Sequence, residues 1–135
     1  MALRRTMLGL TVLWSLPASA QSCADALADA LTVASKAYTV AFRTLPAAIE
    51  VGRHFSVELI VCRHGALAVT EAVRVDAIMP EHGHGMNYQA AVTALGDGRY
   101  RADGLLFHMP GRWDFIFDLS AAGGTERLQR SVVVQ

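Results

Sequence analysis

The chain of 135 residues carries twelve basic and twelve acidic side chains, so its formal net charge is zero. A chain without a basic excess lacks the electrostatic footprint of a nucleic-acid-binding protein, and it has no polybasic segment that would hold it to a membrane surface. Its length is enough for one domain with a hydrophobic core.

The first twenty residues predict a cleavable signal peptide. Arg4 and Arg5 give a positive start, residues 7–14 form an apolar run too short to span a bilayer, and residues 18–20 form a small-x-small cleavage signal. A buried helix of a cytosolic domain does not account for this order of regions. No later apolar run is long enough for a membrane span, so we expect a periplasmic protein with no transmembrane anchor after cleavage. The adjacent arginines leave twin-arginine export open beside the favoured general secretion route.

Two cysteines, Cys23 and Cys62, remain after that cleavage. In an oxidising compartment an even pair predicts a disulfide, and closing a loop of this length would stabilise the fold by roughly 4 kcal/mol in the chain-entropy model. The alternative is a pair of thiols sharing a metal ion, but neither cysteine has a CxxC partner.

Two sequence patterns divide the mature chain. Residues 24–35 are rich in Ala and Leu, with Leu27 and Leu31 four residues apart, so we expect a short helix within an N-terminal segment of residues 21–37. From residue 38 onward, alternating β-branched and aromatic runs are separated by Gly, Pro and Asp about every ten residues. This pattern predicts seven strands, at residues 38–43, 54–62, 71–79, 87–94, 98–107, 112–120 and 126–134.

Seven short strands in about 100 residues predict an all-β fold, a seven-stranded antiparallel immunoglobulin-like sandwich over residues 38–135. The alternation slips by one residue at Asp103-Gly104, which predicts a local irregularity of the fifth strand. The side chains expected in the core include Tyr88, Ala90 and Val92 of the fourth strand and Trp113, Phe115, Phe117 and Leu119 of the sixth.

Antiparallel connections place successive loops at alternating ends of such a sandwich. The end formed by loops 44–53, 80–86 and 108–111 holds four of the five histidines and is referred to below as the histidine end. The first strand starts at the opposite end, where the N-terminal helix is expected to dock. This arrangement brings Cys23 and Cys62 to one end and supports their pairing.

Loop 80–86 of the histidine end has residue types that bind metal ions. His82 and His84 are two residues apart with glycines between and after them, so in extended backbone both rings project to one side. Imidazole together with thioether suits copper, and methionine sulfur favours Cu(I). We therefore predict a copper site whose ligands are His82, His84, Met86 and His108, with Met109 and His54 as possible additional ligands.

A structural interpretation of the same residues stands beside this prediction. Gly83 and Gly85 can simply shape a tight loop with exposed histidines, and Pro110-Gly111 is ordinary turn chemistry. Met109 at a strand end is typical of a residue that fills a gap in the core. The chain has no nucleophile elbow, HExxH motif, phosphate loop or dinucleotide fingerprint, so we do not expect an enzyme.

The segment from Val75 to Phe117 resembles the YtkA-like family, which is related to FixH-type accessory proteins. The matching motifs are Met-Pro-Glu-His-Gly-His-Gly-Met at residues 79–86, Gly-x-Tyr at 98–100 and Phe-x-Met-Pro-Gly-x-Trp at 107–113. The resemblance implies an extracytoplasmic immunoglobulin-like module, linked with copper handling or respiratory-oxidase assembly. FixH-type proteins usually keep an N-terminal membrane anchor, where this chain has a predicted cleavable signal.

Two functions follow as hypotheses. The first is a periplasmic copper-binding or copper-delivery accessory protein, with a respiratory-oxidase assembly or copper-transport component as its partner. The second is a metal-free periplasmic interaction module, in which the same loops contact a redox or transport complex.

Overall fold

The computed structural model describes residues 23–63, 66–67 and 70–135. The predicted signal peptide, residues 1–20, lies outside the described residues. Among the described residues, no helix is long and apolar enough to cross a membrane.

The described chain folds into two antiparallel sheets. One sheet has the strand order β1-β2-β3-β8-β7, with β4 paired to β3, and the other has the order β10-β9-β5-β6. The antiparallel β-sandwich predicted from the sequence is confirmed, and all seven predicted strands are present, with β1, β4 and β6 as short additions. The strands are β1 (Leu31–Ala34), β2 (Tyr38–Leu45), β3 (His54–Arg63), β4 (Ala66–Leu67), β5 (Ala72–Met79), β6 (His84–Gly85), β7 (Ala91–Gly96), β8 (Arg99–Leu106), β9 (Gly111–Ala121) and β10 (Gly124–Val134).

The N-terminal segment differs from its prediction. In place of an amphipathic helix over residues 24–35, the chain makes one 3-10 turn at Cys23–Ala26 and then strand β1. Asp29 has a φ of 57°, in the left-handed region that a right-handed helix does not use. Strand β1 pairs antiparallel with β2, Leu31 opposite Phe42. The free edge of β2 thus satisfies the backbone of this segment, and that tertiary pairing outweighs the helix propensity of Ala and Leu.

The 3-10 turn is fastened to the outer face of β3. A disulfide joins Cys23 to Cys62 with their Cα atoms 6.0 Å apart, as predicted, and Leu27 is buried against Ile60 and Cys62. The side chain of Arg99 donates a hydrogen bond to the carbonyl of Ala26 at 3.1 Å. This end of the sandwich, with the bridge and the turns at 96–98 and 121–125, is referred to as the disulfide end.

The core lies between the sheets and is dominated by aromatic rings. Phe42 of β2 meets Phe115 and Phe117 of β9 across the sandwich, with ring centroids 5.2 and 4.8 Å away. The four core residues predicted on β9 are all buried: Trp113, Phe115, Phe117 and Leu119. The alternating pattern of β9 therefore determined its inward face correctly.

The fourth predicted strand requires a correction. Strand β7 begins only at Ala91, and residues 87–90 form a loop. Tyr88, predicted in the core, is 47% exposed. Its ring lies against that of His54, with centroids 4.9 Å apart. Because β7 is an edge strand that pairs, among the described residues, only with β8, the sheet does not extend far enough to bury residues that precede it.

The irregularity predicted at Asp103-Gly104 is confirmed. Phe55 of β3 pairs with Leu105 of β8, and Val57 pairs with Ala102. Between these two pairs β8 has two residues and β3 has one, so β8 carries one extra residue. Gly104 adopts a φ of 86° there, a conformation that glycine takes at no steric cost.

Candidate functional site

The loop after β5 folds as a tight turn, not as the extended segment expected from its sequence. The amides of His82 and Gly83 both donate to the carbonyl of Met79, at 3.2 and 3.0 Å, and Gly83 has a φ of 66°. The chain then returns along β5 as β6, with His84 opposite Met79. His82 is exposed at the tip of this turn, and His84 is half-buried at its base.

Three of the predicted histidines meet at the histidine end. The rings of His84 and His108 have centroids 5.0 Å apart, although they come from different loops. The ring of His82 lies 5.7 Å from that of His84. His84 is therefore the central member of the cluster, with His108 on the core side and His82 toward solvent.

Hydrogen bonding determines which nitrogen of His84 is free. Its Nδ1 lies 3.1 Å from the carbonyl oxygen of Gly85. A carbonyl only accepts hydrogen bonds, so Nδ1 carries the proton in the neutral ring and Nε2 keeps its lone pair. Metal-binding histidines are commonly oriented in this way by a carbonyl on the other nitrogen.

His108 contains an unsatisfied polar atom. Its Nδ1 is buried and has no hydrogen-bond partner within the described part of the chain. Buried polar atoms are satisfied in the great majority of cases, so such an atom next to His84 requires an explanation. A bound ligand at that nitrogen supplies one.

The stacked rings of Trp113 and Phe107 lie next to the histidines, and Trp113 contacts two of them. The indole N–H of Trp113 donates to the carbonyl of Met109 at 3.0 Å, and the indole stacks on Phe107 with centroids 4.3 Å apart and an interplanar angle of 3°. The rings of His108 and His84 lie 5.5 and 6.1 Å from Trp113. Alternation placed Trp113 in the core, but no pattern indicated that its N–H holds the loop that carries His108.

The sulfur-containing candidates are half-buried, as are His84 and His108. Met86 and Met109 are partly buried and pack against the main core, and the amide of Met86 donates to the carbonyl of Ala77 at 3.3 Å. Met79, at the end of β5, is fully buried. These contacts agree with the core-filling role, and they leave Met86 beside the histidine loop in sequence and in space.

The remaining candidates lie at the margin of the cluster. His54 is exposed, and its ring contact is with Tyr88. Glu81, the acidic neighbour of His82, lies 3.5 Å from the guanidinium of Arg112. Within residues 23–63, 66–67 and 70–135, no group of three or more His, Cys, Asp or Glu side chains is arranged to hold a metal ion.

The fold and the two loop motifs identify the family. The model of the YtkA-like family matches residues 32–118. The chain belongs to the YtkA-like family. The matched span contains β2 through most of β9, and with them the histidine loop and Trp113. No curated protein and no solved structure gives a significant match. Membership of the YtkA-like family indicates an extracytoplasmic accessory domain, and the Cys23–Cys62 disulfide is consistent with a secreted protein.

Proposed function

We propose that this YtkA-like protein binds a copper ion at the histidine end and works as a periplasmic copper-binding or copper-delivery accessory protein. The observation that carries the proposal is the pairing of His84 with His108. One ring has its proton directed to Gly85 and its Nε2 free, and the other has a buried Nδ1 without a partner. Two unsatisfied imidazole nitrogens on adjacent rings suit one metal ion.

The spacing of the rings is compatible with a shared ion after small side-chain rotations. Two nitrogens each bonded to one ion at about 2 Å lie no more than about 4 Å apart. The ring centroids of His84 and His108 are 5.0 Å apart, so rotation about the side-chain torsions can bring one nitrogen of each ring within that limit. His82, exposed beside His84, supplies a third nitrogen, and Met86 supplies a thioether of the kind that Cu(I) accepts.

Copper titration tests the proposal. The mature protein is titrated with Cu(I) and with Cu(II) against a competing chelator, and the same is done for H84A/H108A. We expect stoichiometric binding by the wild type and its loss in the double variant, with the β-sheet circular dichroism unchanged. His54→Ala is the matched control, because it removes an exposed imidazole at the same end.

The single tryptophan after residue 20 gives a second readout. Trp113 touches both His84 and His108, so binding at this pair should quench its fluorescence with the same stoichiometry. A wild type that cannot compete with a weak chelator, or a double variant that binds as well as the wild type, would remove the copper proposal. The exposed pair Tyr88 and His54 would then favour the metal-free interaction module, since exposed aromatic side chains are common at contact surfaces.

The delivery role adds a partner to the proposal, a respiratory-oxidase assembly or copper-transport component. A site at a loop end, with His82 exposed, is accessible to a second protein. The partner is tested by transfer of copper from the loaded protein to candidate acceptors, with the rate compared between the wild type and His82→Ala.

A further inference from the structure

Strand β10 presents a long free edge. It runs for eleven residues, Gly124–Val134, and within the described residues it is the terminal strand of its sheet, paired only with β9. An unprotected edge of this length is a template for another strand, and natural proteins usually shorten, twist or cover such edges.

The register determines which backbone groups of β10 are free. The amide of Glu71 donates to the carbonyl of Ser120, so Ser120 and the other even-numbered residues of β9 direct their peptide groups toward β5. The odd-numbered residues of β9 therefore bond to β10, and they pair with its even-numbered residues, as in Leu119 with Glu126. The odd-numbered residues of β10, from Thr125 to Val133, are left with amides and carbonyls at the free edge.

Two opposite charges lie without partners on the core-facing row of this strand. Glu126 and Arg130 flank the buried Leu128. Neither side chain forms an ion pair or hydrogen bond within the described residues. Arg127, on the outward row, is by contrast bound to Asp118. The charges of the inward row are thus free to pair with a second strand.

We propose that two copies of this chain associate through β10, antiparallel about a two-fold axis at Leu128. In this register the odd-numbered residues of the two strands exchange backbone hydrogen bonds. Leu128 lies opposite Leu128 of the second copy, and each Glu126 lies directly opposite Arg130 of the other. Side chains so placed are close neighbours, and opposite charges stabilise the pairing.

Neighbouring registers lack this complementarity. A shift that moves the two-fold axis to residue 127 sets Arg127 opposite Arg127, and an axis at residue 130 sets Arg130 opposite Arg130. An axis at residue 129 places Leu128 opposite Arg130 and leaves both charges unpaired. The charge pattern of β10 therefore selects one self-complementary register and disfavours the others.

The surroundings of β10 also favour a second copy. Val133 is 72% exposed, and it adjoins an apolar groove of about 710 Å³ lined by residues that include Leu31, Leu45 and Ile49. In the proposed register Val133 faces the β9–β10 turn of the second copy, which would cover it. Because the strands run antiparallel, the two histidine ends lie at opposite poles, and association leaves them accessible.

Charge reversal tests the pairing directly. Sedimentation velocity on the mature wild type should show concentration-dependent dimers. Either E126R or R130E sets like charges opposite each other twice, so each variant should dimerise about tenfold more weakly or worse. A one-to-one mixture of the two variants should associate again, because every contact then joins opposite charges. Thr93→Arg, on the exposed edge strand β7, is the control and should dimerise as the wild type does.

A wild type that stays monomeric at millimolar concentration would overturn the proposal, and so would single variants that dimerise as tightly as the wild type. A mixture of the two variants that fails to associate would also overturn it, provided that both are folded by circular dichroism. Copper binding measured on the same samples is independent of these outcomes, so failure of the copper site and failure of the dimer are told apart.

Discussion

At the disulfide end a covalent bridge and hydrogen bonds join segments distant in sequence, whereas at the histidine end a buried imidazole nitrogen has no partner among the described residues. The Cys23–Cys62 bridge, the bond from Arg99 to the carbonyl of Ala26 and the bond from the Val61 amide to Gly98 tie the first end together. At the second end His108 Nδ1 is buried and has no hydrogen-bond partner in the part of the chain that the structure describes. The disulfide end therefore constrains the chain, and the histidine end is where the copper proposal places a ligand.

The histidine end is nonetheless rigid beneath its surface. Trp113 and Phe107 stack in parallel under the histidines, and both are fully buried. The rigidity comes from packing at this end and from a covalent bond at the other. Four sets of variants test these contributions to stability.

The largest expected effect is at Trp113. W113A removes a fully buried ring and leaves the carbonyl of Met109 without its donor, so we expect the free energy of unfolding to fall by about 5 kcal/mol. Urea denaturation followed by circular dichroism measures it. The matched control is W113F, which keeps an aromatic ring against Phe107. Equal losses from both variants would show that the indole N–H and the larger indole ring account for the whole effect, and that an aromatic ring against Phe107 alone contributes little.

The next effect lies at the disulfide end. C23S/C62S should lower the free energy of unfolding by about 4 kcal/mol, because the unfolded chain regains the freedom of a large loop. Denaturation with and without a reductant gives the same comparison on the wild type. If the two ends are independent, copper binding at 25 °C should persist in the folded double variant. Loss of copper binding there would show that the ends are coupled.

A smaller effect is expected at Gly111, where β9 leaves the histidine end. Its φ is 128°, and an added Cβ would lie 2.9 Å from Cε of Met79. We expect G111A to cost about 2 kcal/mol, since this backbone region is nearly exclusive to glycine. Gly123→Ala, in the turn at the disulfide end, is the control, because no atom lies within 4 Å of its added Cβ. Thermal unfolding of both variants measures the two losses of stability, and that of G111A should be the larger.

The smallest effect concerns pH and the outer face of the second sheet. The hydrogen bond from Arg127 lowers the pKa of Asp118 below its ordinary value. A carboxyl with a lowered pKa in the folded state adds stability above the unfolded pKa, about 4, and that stability is lost as the pH falls through the folded pKa.

In R127A the free energy of unfolding should therefore fall less steeply than in the wild type as the pH drops below about 4. Urea denaturation at a series of pH values measures it. Arg63→Ala removes an exposed charge elsewhere and should leave the curve as in the wild type. If the free energy of unfolding of R127A falls with acid as steeply as that of the wild type, this ion pair does not contribute to the pH dependence of stability.

Much of the fold follows from the alternation of apolar and polar residues along the sequence. The inward row of β9, the bulge at Asp103-Gly104 and the pairing of Cys23 with Cys62 were all predictable, because period-two patterns, turn glycines and the parity of antiparallel connections are local or topological properties. The grouping of the histidine loops at one end followed from the same parity.

The predictions failed or fell short where a neighbouring element decided the outcome. Residues 24–35 have helical composition, but the edge of β2 draws part of them into a strand. Tyr88 follows the alternation of a buried strand, but it precedes an edge strand and is exposed. The local sequence pattern does not show whether a residue lies at the centre or at the edge of a sheet.

The class of fold, the residue types of the candidate site and the end of the sandwich where they gather could all be read from the sequence, since these depend on periodicity and chain direction. Three features came from the three-dimensional structure alone: His84 stands between His82 and His108, its Nδ1 proton is directed to the carbonyl of Gly85, and the indole N–H of Trp113 bonds the loop that carries His108. These features arise from contacts between segments distant in sequence or from hydrogen-bond directions, neither of which leaves a pattern along the chain.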